Sequence, residues 1–296
     1  MAESAWKGGS QLSVIALTGA GVISPSGVGT AFLPRPDGLA AWGSSKLPDL
    51  DPADYGWKGL KRMSRAVKYG SLAVGEAFRS GGVETPLEGE SSERTSLVVC
   101  SSHSNLEPIV AMYQDARQYG VGRVNPGLFP ETVMNAFAGH LSIYFRITGT
   151  SVTLSDAVPS ASSAFLYAAD LLSSNQADSV MCCMLTLHPP SMMAHVTYHE
   201  EGGPGAESIV ALLFRRVNDA GPSAAVLRWE AAETYTRNDC GPVVRPSDGF
   251  LAAASAYHGV VSGKIQEQHW TVSGRTDGYY SYCLTGPHNK GERVHA

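Results

Sequence analysis

The most compact set of candidate metal ligands in the sequence is a pair of histidines followed by two glutamates. His195 and His199 are four residues apart, and residues 200–201 are both glutamate. On a helix, two histidines at this spacing could share a metal ion. Prolines at 189–190 and glycines at 202–203 favour a loop instead, and no third ligand is evident. We therefore expect loop or surface histidines here, and we predict neither a metal nor a cofactor for the chain.

The thiols offer little chemistry by their spacing. The five cysteines are Cys100, Cys182, Cys183, Cys240 and Cys283. An odd and irregular set favours reduced thiols in a cytoplasmic protein. Cys182 and Cys183 lie in an apolar run, and adjacent residues of a strand point to opposite faces, which favours two buried thiols over a ligand pair. His103 and His140 are expected to pack or to form hydrogen bonds, because neither stands at a nucleophile–base spacing.

Two glycines after a candidate strand are the beginning of a possible dinucleotide-binding motif. Gly19 and Gly21 have the right spacing, but Ser24 stands where the third glycine belongs, and Pro25 follows where the helix should begin. We interpret the glycines as a corner between a strand and a loop.

Composition excludes several classes of protein. The chain has 296 residues, of which 43% are hydrophobic and 17% are charged, and its net charge is −5 from 22 basic and 27 acidic residues. An acidic balance argues against binding to nucleic acid. We expect no membrane span and no signal peptide, since no apolar run of sufficient length occurs and residues 1–11 read as a flexible N-terminus.

Periodicity predicts alternating strands and helices. Candidate strands cover residues 12–17, 95–100, 151–155, 179–185 and 208–214. Candidate helices cover residues 60–81, 105–118, 134–145 and 160–174, with Asn105 as a plausible cap. The tail offers one helix, 247–261, and two strands, 269–273 and 279–284. The alternation predicts an α/β layered domain, and no internal repeat is evident in the residues.

Several segments taken together resemble the β-ketoacyl-carrier-protein synthases. The opening, residues 14–29 (VIALTGAGVISPSGVG), and residues 61–65 (KRMSR) are similar to that family. More specific are residues 125–141 (NPGLFPETVMNAFAGHL) followed by 149–153 (GTSVT). The similarity implies a thiolase-like layered αβα(βα) fold, in which residues 12–217 correspond to the N-terminal half of a synthase. Residues 218–296 would form a shortened C-terminal part packed on the same domain.

The resemblance also shows where the family's chemistry is missing. In the family, a cysteine follows this strand in a sharp turn at a helix N-terminus, where the helix dipole favours the thiolate. Residues 155–161 read SDAVPSA, and counting from Gly149 puts Val158 at the position of that cysteine. The Ala-His-Gly-Thr motif that carries a catalytic histidine is absent from the sequence. No catalytic residue is therefore assigned.

Synthases that lack the nucleophile and pair with active ones are known as chain length factors. The short chain resembles those of type II systems that make aryl polyenes and other highly reduced polyketides. The resemblance implies a non-catalytic subunit that forms a heterodimer with a catalytic ketosynthase, shapes its acyl tunnel and contacts acyl carrier protein transiently. The alternatives are a scaffold that binds acyl carrier protein without length control, and a stand-alone enzyme that uses Asp156 or His140.

Two sets of residues are expected to serve that role. The dimer interface should be built by the strand residues Ser151, Val152, Thr153, Leu154 and Ser155. The tunnel wall should be built by Leu106, Ile109, Val110, Tyr113, Met134 and Phe137. The first four of these recur at i, i+3, i+4 and i+7, which gives one apolar helix face. For any one of the six, ordinary packing in the core or interface is the competing interpretation.

Overall fold

The structure is a computed structural model that describes residues 13–101, 104–155, 161–193, 205–221, 224–232, 241–273 and 279–286. Within these ranges the strands are β1 (Ser13–Ser24), β2 (Gly27–Val28), β3 (Thr95–Cys100), β4 (Ser151–Leu154), β5 (Ser179–Thr186), β6 (Ser208–Arg215), β7 (Ala225–Ala232), β8 (Val243–Val244), β9 (Glu267–Ser273) and β10 (Tyr279–Thr285). The α-helices are α1 (Arg65–Ser80), α2 (Gly89–Glu93), α3 (Leu106–Tyr119), α4 (Ala136–Phe145), α5 (Ala161–Ser173) and α6 (Gly249–Val261). None of the helices in these ranges combines the length and apolarity that a membrane span requires.

All ten described strands belong to one mixed sheet, in the order β4-β3-β5-β6-β1-β7-β10-β9-β8, with β2 paired to β1. In the first half, β3, β4 and β5 are parallel, and β6 runs antiparallel to β5 and to β1. Alternate residues of a strand face opposite sides of the sheet. Val98 and Cys100 therefore pack with α5 and α6 in one core cluster, and Leu97 and Val99 pack with α1 and α4 in the other. The predicted α/β layered class is confirmed.

β1 is twice as long as the sequence indicates. The predicted strand ended near residue 17, before the glycines, but the observed strand continues to Ser24. Gly19 and Gly21 lie within it because α1 packs directly on its backbone. A Cβ at Gly21 would stand 2.0 Å from the carbonyl oxygen of Ala73. The glycines permit this close helix–strand approach, and the interpretation of a strand-to-loop corner is wrong.

The second half of the sheet repeats the plan of the first in shortened form. β7 pairs with β10, β10 pairs antiparallel with β9, and β8 runs parallel to β9. β7, β10 and β9 thus mirror β1, β6 and β5 across the antiparallel β1–β7 pair. In the described part of the chain, one short strand lies beyond β9, where two lie beyond β5. The tail therefore contains a reduced copy of the first half.

The sheet curls around α5 and α6. α6 contacts both β6 and β9, which are four strands apart in the sheet. Residues from both halves of the sheet also share one core cluster with these helices. Both halves of the sheet therefore pack against the same pair of helices. Phe165 of α5 shows the result, since its ring contacts Phe214 of β6 and also Tyr282 of β10.

Helix boundaries shift by a few residues from their predicted positions. The first predicted helix began at residue 60, but α1 starts at Arg65 because Ser64 holds an extended conformation as its N-cap. Asn105 does precede α3, but its side chain makes no cap hydrogen bond and instead donates to the carbonyl oxygen of Thr132 at 2.8 Å. β7 was not predicted.

Candidate functional site

The candidate site lies at the carboxyl ends of the parallel strands β3, β4 and β5, where α5 begins. β4 ends at Leu154 and α5 starts at Ala161. Residues 156–160, including Val158 and Asp156, lie outside the described residues, so the position of Val158 is known from the sequence alone. The strand before this segment and the helix after it are both in place, as a nucleophile-bearing turn would require.

The N-termini of the two central helices, α5 and α6, meet at this end of the sheet. A Cβ on Gly249, the first residue of α6, would stand 2.5 Å from the Cβ of Ala161 at the start of α5. One residue further along α5, the buried hydroxyl of Ser162 accepts a hydrogen bond from Tyr282 Oη at 2.8 Å. Burial raises the pKa of Tyr282, so the phenol stays a donor. The two halves of the fold are therefore joined at the site.

The residues that lead into α6 offer an ion pair and no imidazole. Arg245 Nε donates to Asp248 Oδ2 at 2.7 Å, and the Asp248 side chain is nearly buried. Ser247 is also buried. His188 follows the end of β5 by two residues, and its Nε2 is 2.8 Å from the carbonyl oxygen of Gly205. His258 lies on the C-terminal part of α6, and its Nδ1 is 3.2 Å from Thr30 Oγ1. Burial and the charge of Lys264 lower the pKa of His258.

A buried carboxylate organises the loops beside the site. Glu207, just before β6, is 1% exposed, and its two oxygens accept from both terminal nitrogens of Arg65 at 2.7 and 3.1 Å. They also accept from the backbone amides of Leu47 and His188 at 2.9 and 3.0 Å. Burial opposes ionisation, but the four donors outweigh it and lower the pKa of Glu207. Nothing in the sequence pattern marked this residue, since Glu207 and Arg65 are 142 residues apart.

The nearby thiols are not activated. Cys182 and Cys183 point to opposite core clusters, as predicted for adjacent residues of a buried strand. Burial raises the pKa of Cys100 to about 12 and also raises the pKa values of Cys182 and Cys183. A thiol that stays protonated is a poor nucleophile, so none of these three replaces the cysteine missing at position 158.

β4 forms one edge of the sheet. Among the described strands it pairs only with β3, in parallel. The carbonyl oxygen of Thr150 accepts from the amide of Leu97 in β3, and that of Leu154 accepts from the amide of Ser101 just after β3. Because backbone groups alternate in direction along a strand, those of Ser151 and Thr153 point away from the sheet. This open edge is a template for another strand.

An exposed apolar surface adjoins that edge. Twelve large apolar side chains are exposed among the described residues, and eight of them fall between positions 109 and 143. α3 packs on the turn Pro126–Thr132, which contacts α4, and α4 contacts β4. We define the edge surface as β4 together with Ile109, Tyr113, Phe129, Val133, Met134 and Ile143. Exposed apolar side chains gathered in one place mark interaction sites in soluble proteins.

The six residues predicted to line a tunnel divide into two groups. Ile109, Tyr113 and Met134 belong to the edge surface, and Leu106 is half-buried. Val110 is 8% exposed and Phe137 is 3% exposed. Phe137 packs so closely on α1 that a Cβ on Gly70 would overlap its ring at 2.3 Å. Phe137 is therefore also a core residue beneath α1.

Two other features lie next to α4. A shallow groove of about 580 Å³, lined mainly by α2, the end of α4 and residues 146–148, opens near the beginning of β4. It therefore lies near the opposite end of β4 from residues 156–160, and Ile143 of the edge surface is one of its lining residues. His140 Nε2, on α4, is 3.7 Å from Oε1 of Glu131 in the turn Pro126–Thr132, and both side chains are partly buried. His195, His199 and His103 lie outside the described residues.

The layered sheet, with its paired central helices, defines the class as thiolase-like. The family model described as β-ketoacyl synthase, N-terminal domain, matches residues 49–197, which is half of the chain. The chain therefore belongs to the β-ketoacyl synthase family, as its motifs indicated.

Curated relatives agree with this family. The 3-oxoacyl-[acyl-carrier-protein] synthase 2 of Vibrio cholerae serotype O1 is 27% identical over 124 residues, which cover 42% of this chain and 30% of the relative. The enzyme of the same name from Vibrio harveyi is 28% identical over 112 residues, covering 38% and 26%. The chain thus matches less than a third of the length of either relative.

Solved structures show the same fold at low sequence identity. The complex of a type II PKS acyl-carrier protein with its ketosynthase, AntDE:AntF, matches with a TM-score of 0.71 and 14% identity, covering 93% of this chain and 100% of that chain. The ishigamide ketosynthase/chain length factor gives 0.65 and 16%, covering 93% and 100%. The ketosynthase ApeO with its chain length factor ApeC from Xenorhabdus doucetiae gives 0.59 and 19%, covering 92% and 99%.

Proposed function

We propose that this chain is a non-catalytic, chain length factor-like subunit of a ketosynthase complex. The observation that carries the proposal is Val158, which occupies the nucleophile's position in a chain that keeps the surrounding family motifs. Valine can neither attack a thioester nor hold an acyl group. Among the described residues at this end of the sheet are the Arg245–Asp248 ion pair, the buried residues Ser162 and Ser247, and His188, which is hydrogen-bonded to the carbonyl oxygen of Gly205. None of these groups is an activated nucleophile.

The partner in this proposal is a catalytic ketosynthase that binds at the edge surface. The outward backbone groups of Ser151 and Thr153 would pair with a strand of the partner, and the apolar side chains beside β4 would be covered by it. The cost of leaving both exposed gives association its driving force. Obligate interfaces of this kind bury roughly 2,000 Å² or more. Structural neighbours that are described as ketosynthase and chain length factor complexes support this choice of partner.

The chemical contribution of the subunit would be a wall of the partner's acyl tunnel. Ile109, Tyr113 and Met134 present apolar surface beside the proposed interface, with Leu106 at the beginning of the same helix. A growing chain gains about 0.8 kcal/mol for each CH₂ that it buries against such a wall. A bulky side chain at the end of the tunnel stops growth by overlap, because packed protein yields little. Acyl carrier protein would visit the complex to deliver and collect the chain.

The decisive experiment is co-expression with a catalytic ketosynthase from the same organism. We expect a stable one-to-one complex that makes a defined polyketide or polyene with carrier protein and malonyl thioester. The isolated subunit should make nothing, and mass spectrometry would follow both products and acylated proteins.

The two alternatives give different results in the same assay. A scaffold for acyl carrier protein would bind carrier protein and leave product length unchanged when its apolar residues are altered. Clear turnover by the isolated chain would instead contradict the proposal and favour an enzyme that uses Asp156 or His140.

A further inference from the structure

The outer face of the second half of the sheet carries a cluster of side chains that could hold a metal ion. β9 and β10 pair with His269 opposite Cys283. Trp270 and Val272 of β9 point into the core, so Glu267 and His269 share the outer face, as does Cys283 across the ladder. Three residues with different donor atoms are thereby brought together by strand register alone.

The three donor atoms are close to one another. Glu267 Oε1 lies 2.5 Å from His269 Nε2 and 3.1 Å from Cys283 Sγ. One donor atom from each residue falls within 4.8 Å of the other two. Ligand atoms around a tetrahedral zinc ion lie about 3.3–3.8 Å apart, given metal–ligand bonds of about 2.0–2.3 Å. Movements of about 1 Å, within the reach of side-chain rotation, would therefore convert the cluster to a coordination shell.

The chemistry of the three side chains suits a divalent cation, because the set combines one thiol, one imidazole and one carboxylate. A divalent ion would replace the thiol proton, and the anions of Cys283 and Glu267 would neutralise its two charges.

We propose that Glu267, His269 and Cys283 form a zinc site with a fourth position open to solvent. Thiolate, imidazole and carboxylate are the three ligand types of zinc sites, whereas calcium and magnesium prefer oxygen alone. A cation, Arg228 of β7, lies opposite Cys283 in the strand register, and its guanidinium donates to Thr285 Oγ1 at 3.0 Å. The proposal stands independently of the proposed function, because no residue of the edge surface takes part.

The test uses the purified, reduced full chain after chelator treatment, with Zn²⁺ and Co²⁺ as probes. We expect one Zn²⁺ per chain in competition with a chromophoric chelator, and a thiolate-to-cobalt charge-transfer band with Co²⁺. Cys283→Ser should abolish the band, and His269→Gln should weaken Zn²⁺ binding by about tenfold or more. Glu230→Gln is the matched control, since Glu230 is an exposed carboxylate on the same face of β7; its affinity should stay within about twofold of wild type.

Several outcomes would overturn the site. These are the absence of stoichiometric Zn²⁺ binding, the absence of the cobalt band in the wild type, or a band that survives Cys283→Ser. Circular dichroism reports whether each variant folds. Should Cys283→Ser fail to fold, the wild-type cobalt spectrum and His269→Gln decide the question.

Discussion

The family's nucleophilic cysteine is missing at one position, but a cysteine introduced there would not restore the reaction. Val158→Cys supplies a thiol at the sequence position where the family has its nucleophile, three residues before α5 begins. Condensation also needs groups that drive decarboxylation and stabilise the carbanion, and the Ala-His-Gly-Thr motif that would carry one is absent from the sequence. We expect the variant to be acylated at most, with no condensation product. Condensation by the isolated Val158→Cys chain in a mass-spectrometric assay would show that the missing groups are present elsewhere.

The buried Glu207 carboxylate should contribute to the stability of the fold in a pH-dependent way. Glu207→Gln keeps the shape but removes the charge that holds Arg65, so we expect the free energy of unfolding to fall by about 2–3 kcal/mol at pH 7. A lowered carboxyl pKa contributes stability above the ordinary pKa of 4.5 and loses it as pH falls through the folded-state value. The difference between wild type and variant should therefore shrink below about pH 4.5. Urea unfolding at several pH values measures it, with exposed Glu230→Gln as the control. A constant difference would contradict this assignment.

Tyr113 is the residue whose truncation should report on the tunnel wall. It is 51% exposed in the edge surface, with Arg117 over its ring at 5.9 Å. Tyr113→Ala opens space without disturbing the core, so the complex should persist and its product should lengthen. Tyr119→Ala is the matched control, because Tyr119 is similarly exposed on another face of α3. Equal product lengths from wild type and Tyr113→Ala would place the wall elsewhere. Phe137 is a poorer probe, since truncating a buried Phe costs about 3–5 kcal/mol in stability.

At the scale of elements, most helices and strands of the first half follow from the sequence. β3 was predicted with its observed bounds, because a run of β-branched and other apolar residues between polar ones has few alternatives. β7 could not be predicted: its sequence AVLRWEAA is rich in helix formers, and pairing with β1 and β10 overrides that propensity. The partners of Glu207 and the Glu267–His269–Cys283 cluster could not be predicted for a similar reason. Loop packing and strand register, rather than sequence spacing, bring these residues together.

The edge surface can be tested element by element. Ile143→Asp places a charge on an 80%-exposed apolar residue of α4 beside β4. Thr153→Pro removes an outward amide from β4 without touching its ladder to β3. Both should abolish binding to the ketosynthase, measured by size-exclusion chromatography of the co-expressed pair. Val261→Asp is the control, because Val261 is an exposed apolar residue at the end of α6. Complexes that survive both interface changes would place the partner elsewhere.

At the scale of the molecule, the proposal concerns how the subunit behaves without its partner. An open strand edge beside exposed apolar side chains is an aggregation hazard. We therefore expect low soluble yield for the chain alone and a clear increase on co-expression, quantified as soluble protein at fixed induction. Light scattering should then give a one-to-one heterodimer. A well-behaved monomer that ignores the co-expressed ketosynthase would contradict the proposed function.

The curled sheet also has a consequence for synthesis of the chain. Phe165 of α5 is fully buried only because Phe250 and Tyr282 close over it from segments made much later. β10 stands between β7 and β9, so neither has its full set of pairings until residue 285 has been added. A nascent chain that carries only the first half therefore exposes an unfinished central layer. Emergence of β10 from the ribosome would be the event that completes this layer.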